Sequence, residues 1–349
     1  MELLSVGDLH TTDHTGSGGL AKYIENPDRF VMGEVQKVLD YGKRKGVLRV
    51  VFTGDICDGP RMSYEASLAF MDLIDANPDF EFYIYLGNHD LYGETPELGH
   101  SLQLLQRVYA KAPNVRIFTR PKTIKIDDVL VRFLPYPHMD FDKRALNFFH
   151  KEVYGSKSDS GRTNNDKVLS KSRAVAVGGH LHTAHRIRNT DFVGTLYQTN
   201  FGEALPKYFA HVEFDGPDEY EVKLVKSDPL YKLHTVVLQD RGDLKLIPTA
   251  KTDLVKLVIQ DGCDVGTQDY AHLKNIAVLK NFKSKDDLAA VLTEDIKEGT
   301  ELIIRTDDFF KSWIESLDEP AEMRQRVKHV RRRILNSFDN PKNKYHRSS

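Results

Sequence analysis

Cysteine is nearly absent from this chain, with 2 in 349 residues. Cys57 and Cys263 cannot build a disulfide framework, and such scarcity fits a reducing compartment. Long apolar runs are missing too: no stretch approaches the roughly 20 residues that cross a bilayer, so no membrane partner is expected. Met1 runs directly into the strand-like ELLSV, so a signal peptide is not expected. Charge of one sign is also lacking. Lys and Arg number 49 against 51 Asp and Glu, a formal net charge of -2, and bulk charge therefore does not announce nucleic acid. The balance is uneven, however. In Glu322–Ser349 nine Lys or Arg stand against Glu322 and Asp339 alone.

The length allows two domains and a sizeable core. From Met1 to about Pro229, strands alternate with helices. Glu34–Lys45 carries Val35, Val38 and Leu39 on one helical face, and Tyr64–Ala76 carries Leu68, Met71, Leu73 and Ile74. His100–Ala110 reads as a third helix. Leu48–Phe52 and Phe80–Leu86 are continuous apolar strands. Val115–Phe118, Thr123–Ile126 and Val129–Leu134 are shorter strands, with a turn at Asp127-Asp128. Lys151–Val168 is polar and reads as a loop, either solvated or facing substrate. Ala174–Val177 is a strand, and Phe192–Phe214 holds three further strand-like pieces. Beyond it, Leu233–Leu238 and Ile276–Leu279 read as strands with a turn at Arg241-Gly242, and Lys285–Leu292 as a helix. Lys251–Ile259 could be an amphipathic segment or a strand. Two sheets backed by helices are the natural packing solution for the first part.

What the chain does have is a set of apolar runs that end in glycine and then in metal-ligand residue types. Asp8 and His10 close MELLSVGDLH, Asp55 closes LRVVFTGD, Asn88 and His89 follow FEFYIYLG, and His180 and His182 follow SRAVAVGG. His150 sits in FFHKE. A buried strand that stops and delivers ligands from its C-terminal loop reads this way. Taken singly, each segment has a plain structural reading. Asp8 or Asp55 could be a cap, Gly-Asn-His-Asp an ordinary turn, Gly178-Gly179 a tight turn and His150 an interior helix histidine. Their shared placement at strand ends favours a cluster. Asp8 and His10 are alternate residues, and extended backbone would point both the same way; His180 and His182 repeat the spacing. Two aspartates, one asparagine and four histidines suit two borderline divalent ions such as Mn2+, Fe2+ or Zn2+, with positions open for water and phosphate.

The ordered set GDLH, GDICD, GNHD and GGHLH resembles the calcineurin-like metallophosphoesterase superfamily over about Met1–Asp215. The resemblance implies a four-layer α/β/β/α sandwich with a dinuclear site at the sheet edge. By position it implies that Asp8, His10 and His182 bind the first metal, that Asp55 bridges, and that Asn88, His150 and His180 bind the second. It gives His89 the role of assisting the leaving oxygen, with Asp90 orienting His89, and makes Asp58 a supporting carboxylate. Within the superfamily, GTLYQTNFGEALPKYFAHVEF resembles the stretch after the last metal motif in SbcD/Mre11-type nuclease subunits, with Thr195 where serine is usual. ALNFFHKEVYG resembles the middle histidine segment of bacteriophage members, although Lys151 stands where cellular relatives have glycine.

That branch implies a manganese-dependent DNA exonuclease, with endonuclease activity as a further expectation, working in recombination, repair or DNA breakdown. Mg2+ is a further candidate metal. The implied organisation is a catalytic domain over 1–229, a smaller α+β capping domain that guides DNA over 230–308, and a helical basic tail over 309–349. Val327, Val330, Ile334 and Leu335 form an apolar stripe in that tail. The resemblance implies docking on an SbcC/Rad50-like SMC-type ATPase subunit, with DNA phosphates as the other partner for its arginines. It also implies a homodimer, for which Met62, Tyr64, Leu68 and Phe70 are candidate contacts. The scarce cysteines fit a cytoplasmic location, the host bacterial cytoplasm for a phage-encoded chain. The same fold could instead serve a stand-alone phosphoprotein phosphatase or cyclic-nucleotide phosphodiesterase. A metal-binding scaffold without activity would have no use for His89.

Overall fold

A computed structural model describes residues 1–12, 23–93, 95–158, 163–165 and 174–282. The first part builds β1 (Glu2–Val6), α1 (Pro27–Lys45), β2 (Arg49–Phe52), α2 (Tyr64–Asp75), β3 (Glu81–Tyr85), α3 (Gln103–Val108) and β4 (Val115–Phe118). Then come β5 (Lys122–Ile126), β6 (Val129–Leu134), β7 (Leu146–Phe149), β8 (Ala176–Gly178), β9 (His185–Ile187) and β10 (Thr190–Phe192). A long hairpin follows, β11 (Tyr208–Gly216) with β12 (Glu219–Lys226). The last described elements are β13 (Lys232–Leu238), β14 (Asp253–Gln260), the single turn α4 (Thr267–Tyr270) and β15 (Ile276–Phe282). Helix Lys285–Leu292 and the basic tail from Phe309 lie outside the described residues.

Two six-stranded sheets face each other. The first runs β12-β11-β1-β2-β3-β4, and the second runs β5-β6-β7-β8-β10-β9. β1 to β4 are mutually parallel, as are β6, β7, β8 and β10. The continuous apolar runs follow from this layering, because alternate side chains enter different cores. Leu3, Val51 and Tyr83 point between the sheets to meet Phe133, Phe148 and Val177. Their neighbours Leu4, Val50, Phe52 and Phe82 meet Val35 and Leu39 of α1 and Phe70 and Ile74 of α2. Phe133 stacks on Tyr83, Phe118 and Phe148 at the centre of the sandwich. The far face of the second sheet carries a small cluster of Leu134, Phe149, Leu181 and Phe192. No helix covers that face among the described residues, so the structure is a two-sheet α/β sandwich with one described helical layer.

Helix α1 starts earlier than periodicity suggests. Pro27 is pre-organised for its first turn, and Gly46 closes it at φ 74° with its N–H donating to Gly42 and Lys43 carbonyls. Helix α3 is shorter than expected, at six residues. Of the three strand pieces expected in Phe192–Phe214, only β11 forms at length. Residues 193–207 are a largely buried loop that makes its bonds elsewhere. Lys251–Ile259 resolves to strand β14, because Leu254 to Ile259 are buried on both faces. The turn expected at Arg241-Gly242 is a 3-10 helix, Arg241–Leu246. β13, β14 and β15 make a separate parallel sheet. It keeps its own core of Val236, Leu238, Val255 and Leu257, while Leu233, Leu254 and Val278 join the core of the first sheet.

Candidate metal centre

The C-terminal ends of β1, β2, β3, β7 and β8 open on one edge, and each delivers polar residues from the loop that follows. Asp8 and His10 come after β1, Asp55 after β2, Asn88 and His89 after β3, His150 after β7, and His180 and His182 after β8. His150 therefore ends a strand rather than sitting inside a helix. Glycines allow the close approach. A Cβ on Gly87 would collide with Asp55, and one on Gly179 would strike the Thr53 carbonyl and the Asp8 carboxylate, the latter at 2.5 Å.

These residues gather into two adjoining sets. Asp8, His10 and His182 present ligand atoms to one point, and Asp55, His150 and His180 to another. In the first set His10 Nε2 lies 3.0 Å from His182 Nε2, and Asp8 Oδ2 lies 3.6 Å from His182 Nε2. In the second, His150 Nε2 lies 3.1 Å from Asp55 Oδ2 and 3.1 Å from Asn88 Oδ1. His180 Nδ1 lies 2.9 Å from the same Asn88 oxygen. Ligands bound to one ion at 2.0–2.2 Å stand about 3–3.4 Å apart, close to these separations. The alternate spacing does not act through extended backbone. His10 and His180 adopt left-handed φ of 44° and 78°, and His180 and His182 go to different sets.

The outward nitrogen of every one of these imidazoles meets an oxygen. His10 Nδ1 faces Asp58 Oδ1 at 3.1 Å, and His182 Nδ1 faces Glu203 Oε1 at 2.8 Å. His150 Nδ1 faces the Thr53 carbonyl at 2.6 Å, and His180 Nε2 faces Glu152 Oε1 at 3.2 Å. An acceptor on the outer nitrogen fixes the tautomer and turns the other lone pair inward, as metal-bound histidines require. The donor set fits two divalent cations.

Residues 1–184 match the family model described as calcineurin-like phosphoesterase, just over half of the chain. The chain belongs to the calcineurin-like phosphoesterase family. It is also 22% identical over 223 residues to "Exonuclease subunit 1" of enterobacteria phage T4, covering 58% of this chain and 61% of that one. The chain thus spans about three fifths of that relative's length. Among solved structures, an archaeal phosphodiesterase aligns with 64% of this chain and all of its own length, at 14% identity and a TM-score of 0.31. Family membership and the paired ligand sets together give a metal-dependent phosphoesterase.

In this phosphoesterase the electrostatics favour positive charge at both points. Burial alone would lower His10, but the Asp58 hydrogen bond and the charges of Asp55, Asp58 and Asp8 raise it to about 10. Burial likewise opposes His150, which Asp55 and Asp8 raise to about 9. For Asp55 burial acts upward, and His150, His89 and His10 hold it well below the ordinary carboxylate range. These carboxylates would favour a bound divalent cation in the same way.

His89 lies edge-on to His10, with ring centroids 5.0 Å apart. Its backbone N–H donates to Asp55 Oδ1 at 2.8 Å, and its Nδ1 lies 3.2 Å from the Asp58 carbonyl. The expectation that Asp90 orients His89 is corrected by this geometry. The buried Asp90 carboxylate accepts from the backbone N–H of Ile56, Cys57 and Gly87 and from the Ser101 hydroxyl, so it ties the β2 and β3 loops together. Burial and the charge of Asp55 raise its pKa. The Asp58 carboxylate lies beside the His89 ring, with Oδ1 4.0 Å from Nδ1.

Sequence reasoning missed Glu152, Glu203 and Lys207 as site residues. Glu152 stands two places after His150, inside the quoted FFHKE. Its hydrogen bond to His180 outweighs burial and lowers it to about 2. Glu203 and Lys207 sit in FGEALPK, where an acid and a base four apart in a non-helical, apolar stretch were the available signal.

Proposed function

We propose that this metal-dependent phosphoesterase is a DNA nuclease, cutting phosphodiester bonds as an exonuclease and also as an endonuclease, with Mn2+ as its working metal. The observation that carries this reading is the similarity to the phage exonuclease subunit, which extends past the residues of the family model. Two pairs next to the ligand loops support it. The Arg61 guanidinium lies 5.2 Å from the Tyr92 ring centroid, and the Lys151 ammonium lies 5.6 Å from that of Tyr136. Cations beside aromatic faces suit a strand with phosphates and stackable bases.

In the proposed centre Asp8, His10 and His182 would hold one ion and Asn88, His150 and His180 the other, with Asp55 placed to serve both. Two divalent ions supply Lewis acidity and a nucleophile derived from water at neutral pH. His89, its Nδ1 turned to the Asp58 carbonyl, delivers a proton to the departing oxygen. The three-stranded sheet belongs to a capping region over 230–308 that guides DNA, and the 309–349 segment docks on an SMC-type ATPase subunit. A homodimer forms through the α2–α3 face. Tyr64 and Leu68 are exposed there, as are Leu104 and Val108, whereas Phe70 is withdrawn into the core.

The test is hydrolysis of end-labelled linear duplex and single-stranded DNA with Mn2+, with Mg2+ and with chelator. Processive shortening with Mn2+ is the expected result. Turnover of a phosphopeptide or a cyclic nucleotide without DNA cleavage would replace the nuclease by a stand-alone phosphatase or phosphodiesterase.

A further inference from the structure

The buried loop 193–207 ends in a bracket that grips one ligand of the proposed centre at two points. The side chains of Glu203 and Lys207 are only 2% and 3% exposed, and they form an ion pair. Glu203 Oε1 accepts from His182 Nδ1 at 2.8 Å. Lys207 Nζ donates to the backbone carbonyl of the same His182 at 3.2 Å. One group thus holds the ring and its partner holds the main chain. The remaining capacity of the carboxylate is also filled. Thr199 donates its backbone N–H to Oε2 and its hydroxyl to Oε1, and Asn200 donates to Oε1.

The bracket is fastened in turn to the third sheet. The buried Gln198 donates to the Glu203 carbonyl at 2.6 Å and to the Leu233 carbonyl at 3.0 Å, and accepts from the Leu233 N–H at 2.9 Å. The Thr235 hydroxyl donates to the Phe201 carbonyl. A buried ion pair is costly to desolvate and is weak evidence of stabilisation by itself. If Glu203 served only to neutralise Lys207, its second oxygen would not need to meet an imidazole that faces a ligand set.

We propose that Glu203, held by Lys207 and anchored through Gln198 to β13, is a positioning residue that sets the affinity of one metal position by fixing the tautomer and aim of His182. This rests on the assignment of His182 as a ligand. A carboxylate on the outer nitrogen raises ligand basicity and locks the ring, and loss of such a partner typically costs about 10–100-fold in metal affinity. The effect is confined to the position His182 serves.

The experiment is calorimetric titration of Mn2+ into the full chain for the wild type, His182→Ala, Glu203→Gln and the double variant Glu203→Gln/Lys207→Met. The double variant removes both charges and leaves no buried ammonium unpaired. Expected are two ions in the wild type, and loss of one position in His182→Ala. Both Glu203 variants should keep one position unchanged and weaken the other at least tenfold. The 15N spectrum of the metal-free chain, recorded at a pH high enough to keep the ring neutral, should show His182 moving from a single Nδ1–H tautomer to a mixture. If His182→Ala keeps both ions, the ligand assignment fails and the inference falls with it. If His182→Ala loses one ion while both Glu203 variants bind like the wild type, the assignment stands and the positioning role is overturned. Equal weakening of both positions would also overturn it, marking Glu203 as a general structural support.

Discussion

The two halves of the centre are braced by different materials. Around Asp8, His10 and His182 both braces are carboxylates: Asp58, its side chain 26% exposed, against His10, and the fully withdrawn Glu203, 2% exposed, against His182. Around Asp55, His150 and His180 they are the Thr53 main-chain carbonyl and Glu152, whose side chain is 34% exposed. Charge acts more strongly in a low-dielectric interior than at a solvated rim. The contrast teaches that two positions built from the same ligand types need not be equivalent. The first is expected to keep its ion under conditions that strip the second.

Chelation gives the largest expected effect. Excess chelator should take hydrolysis to background, and graded chelation should remove the ions in two steps, with spin-labelled or anomalous manganese signals locating the first loss at the Asp55–His150–His180 set. Simultaneous loss would erase the distinction. Next comes His89→Asn. It should leave both ions bound and reduce hydrolysis by about 10²–10⁴-fold, the usual contribution of general acid catalysis, as read by single-turnover cleavage beside metal titration. A variant that lost metal would place His89 among the ligands. Smaller and more diagnostic is the pair Glu203→Gln and Glu152→Gln, whose carboxylates are 2% and 34% exposed. The first should weaken one ion by about 10–100-fold, and the second by a few-fold at most, because water can replace a rim acceptor. The reverse order would show that exposure does not decide the strength of a brace. Smallest is the double surface change Tyr64→Ser with Leu68→Ser. It should move stability by no more than about 0.5 kcal/mol per site while shifting sedimentation equilibrium towards monomer. An unchanged association state would move the subunit contact off α2.

Much of this layout was legible because its signals are short-range. An apolar run, a glycine and a ligand residue sit within ten positions of one another, and a parallel strand buried on both faces must read that way. The Asp127-Asp128 turn was legible for the same reason: both residues take positive φ, at 45° and 69°, between paired strands. What escaped depends on distance along the chain or on backbone strain. His10, Asp55 and His180 all take left-handed φ; Asp and His visit that region more often than most residues with a Cβ, but without a turn signal of the Asp127-Asp128 kind the residue type alone does not mark which of them do. Asp90 follows His89 directly, so adjacency suggested a partnership. The loop instead turns its carboxylate back onto the amides of β2's loop and leaves Asp58 facing the ring. Glu203 reaches His182 from 21 residues away, through a loop with no periodicity to betray its burial. The strand-like composition of residues 193–207 reflects burial too, with backbone bonds supplied by Gln198, Lys207 and the main chain around His182 rather than by a ladder.

Each ligand set draws on both sheets of the sandwich. Asp8 and His10 come from the first sheet and His182 from the second, and Asp55 and Asn88 from the first meet His150 and His180 from the second. Between these edges the sheets touch mainly through apolar side chains, which hold layers together without fixing their slide. A cation shared across the gap would therefore act as a rivet. Because it binds only the assembled edge, free metal at a hundred times its dissociation constant would add about 2.7 kcal/mol to folding. The melting temperature should then climb with the logarithm of manganese concentration, so that heat resistance becomes a gauge of how much metal surrounds the protein.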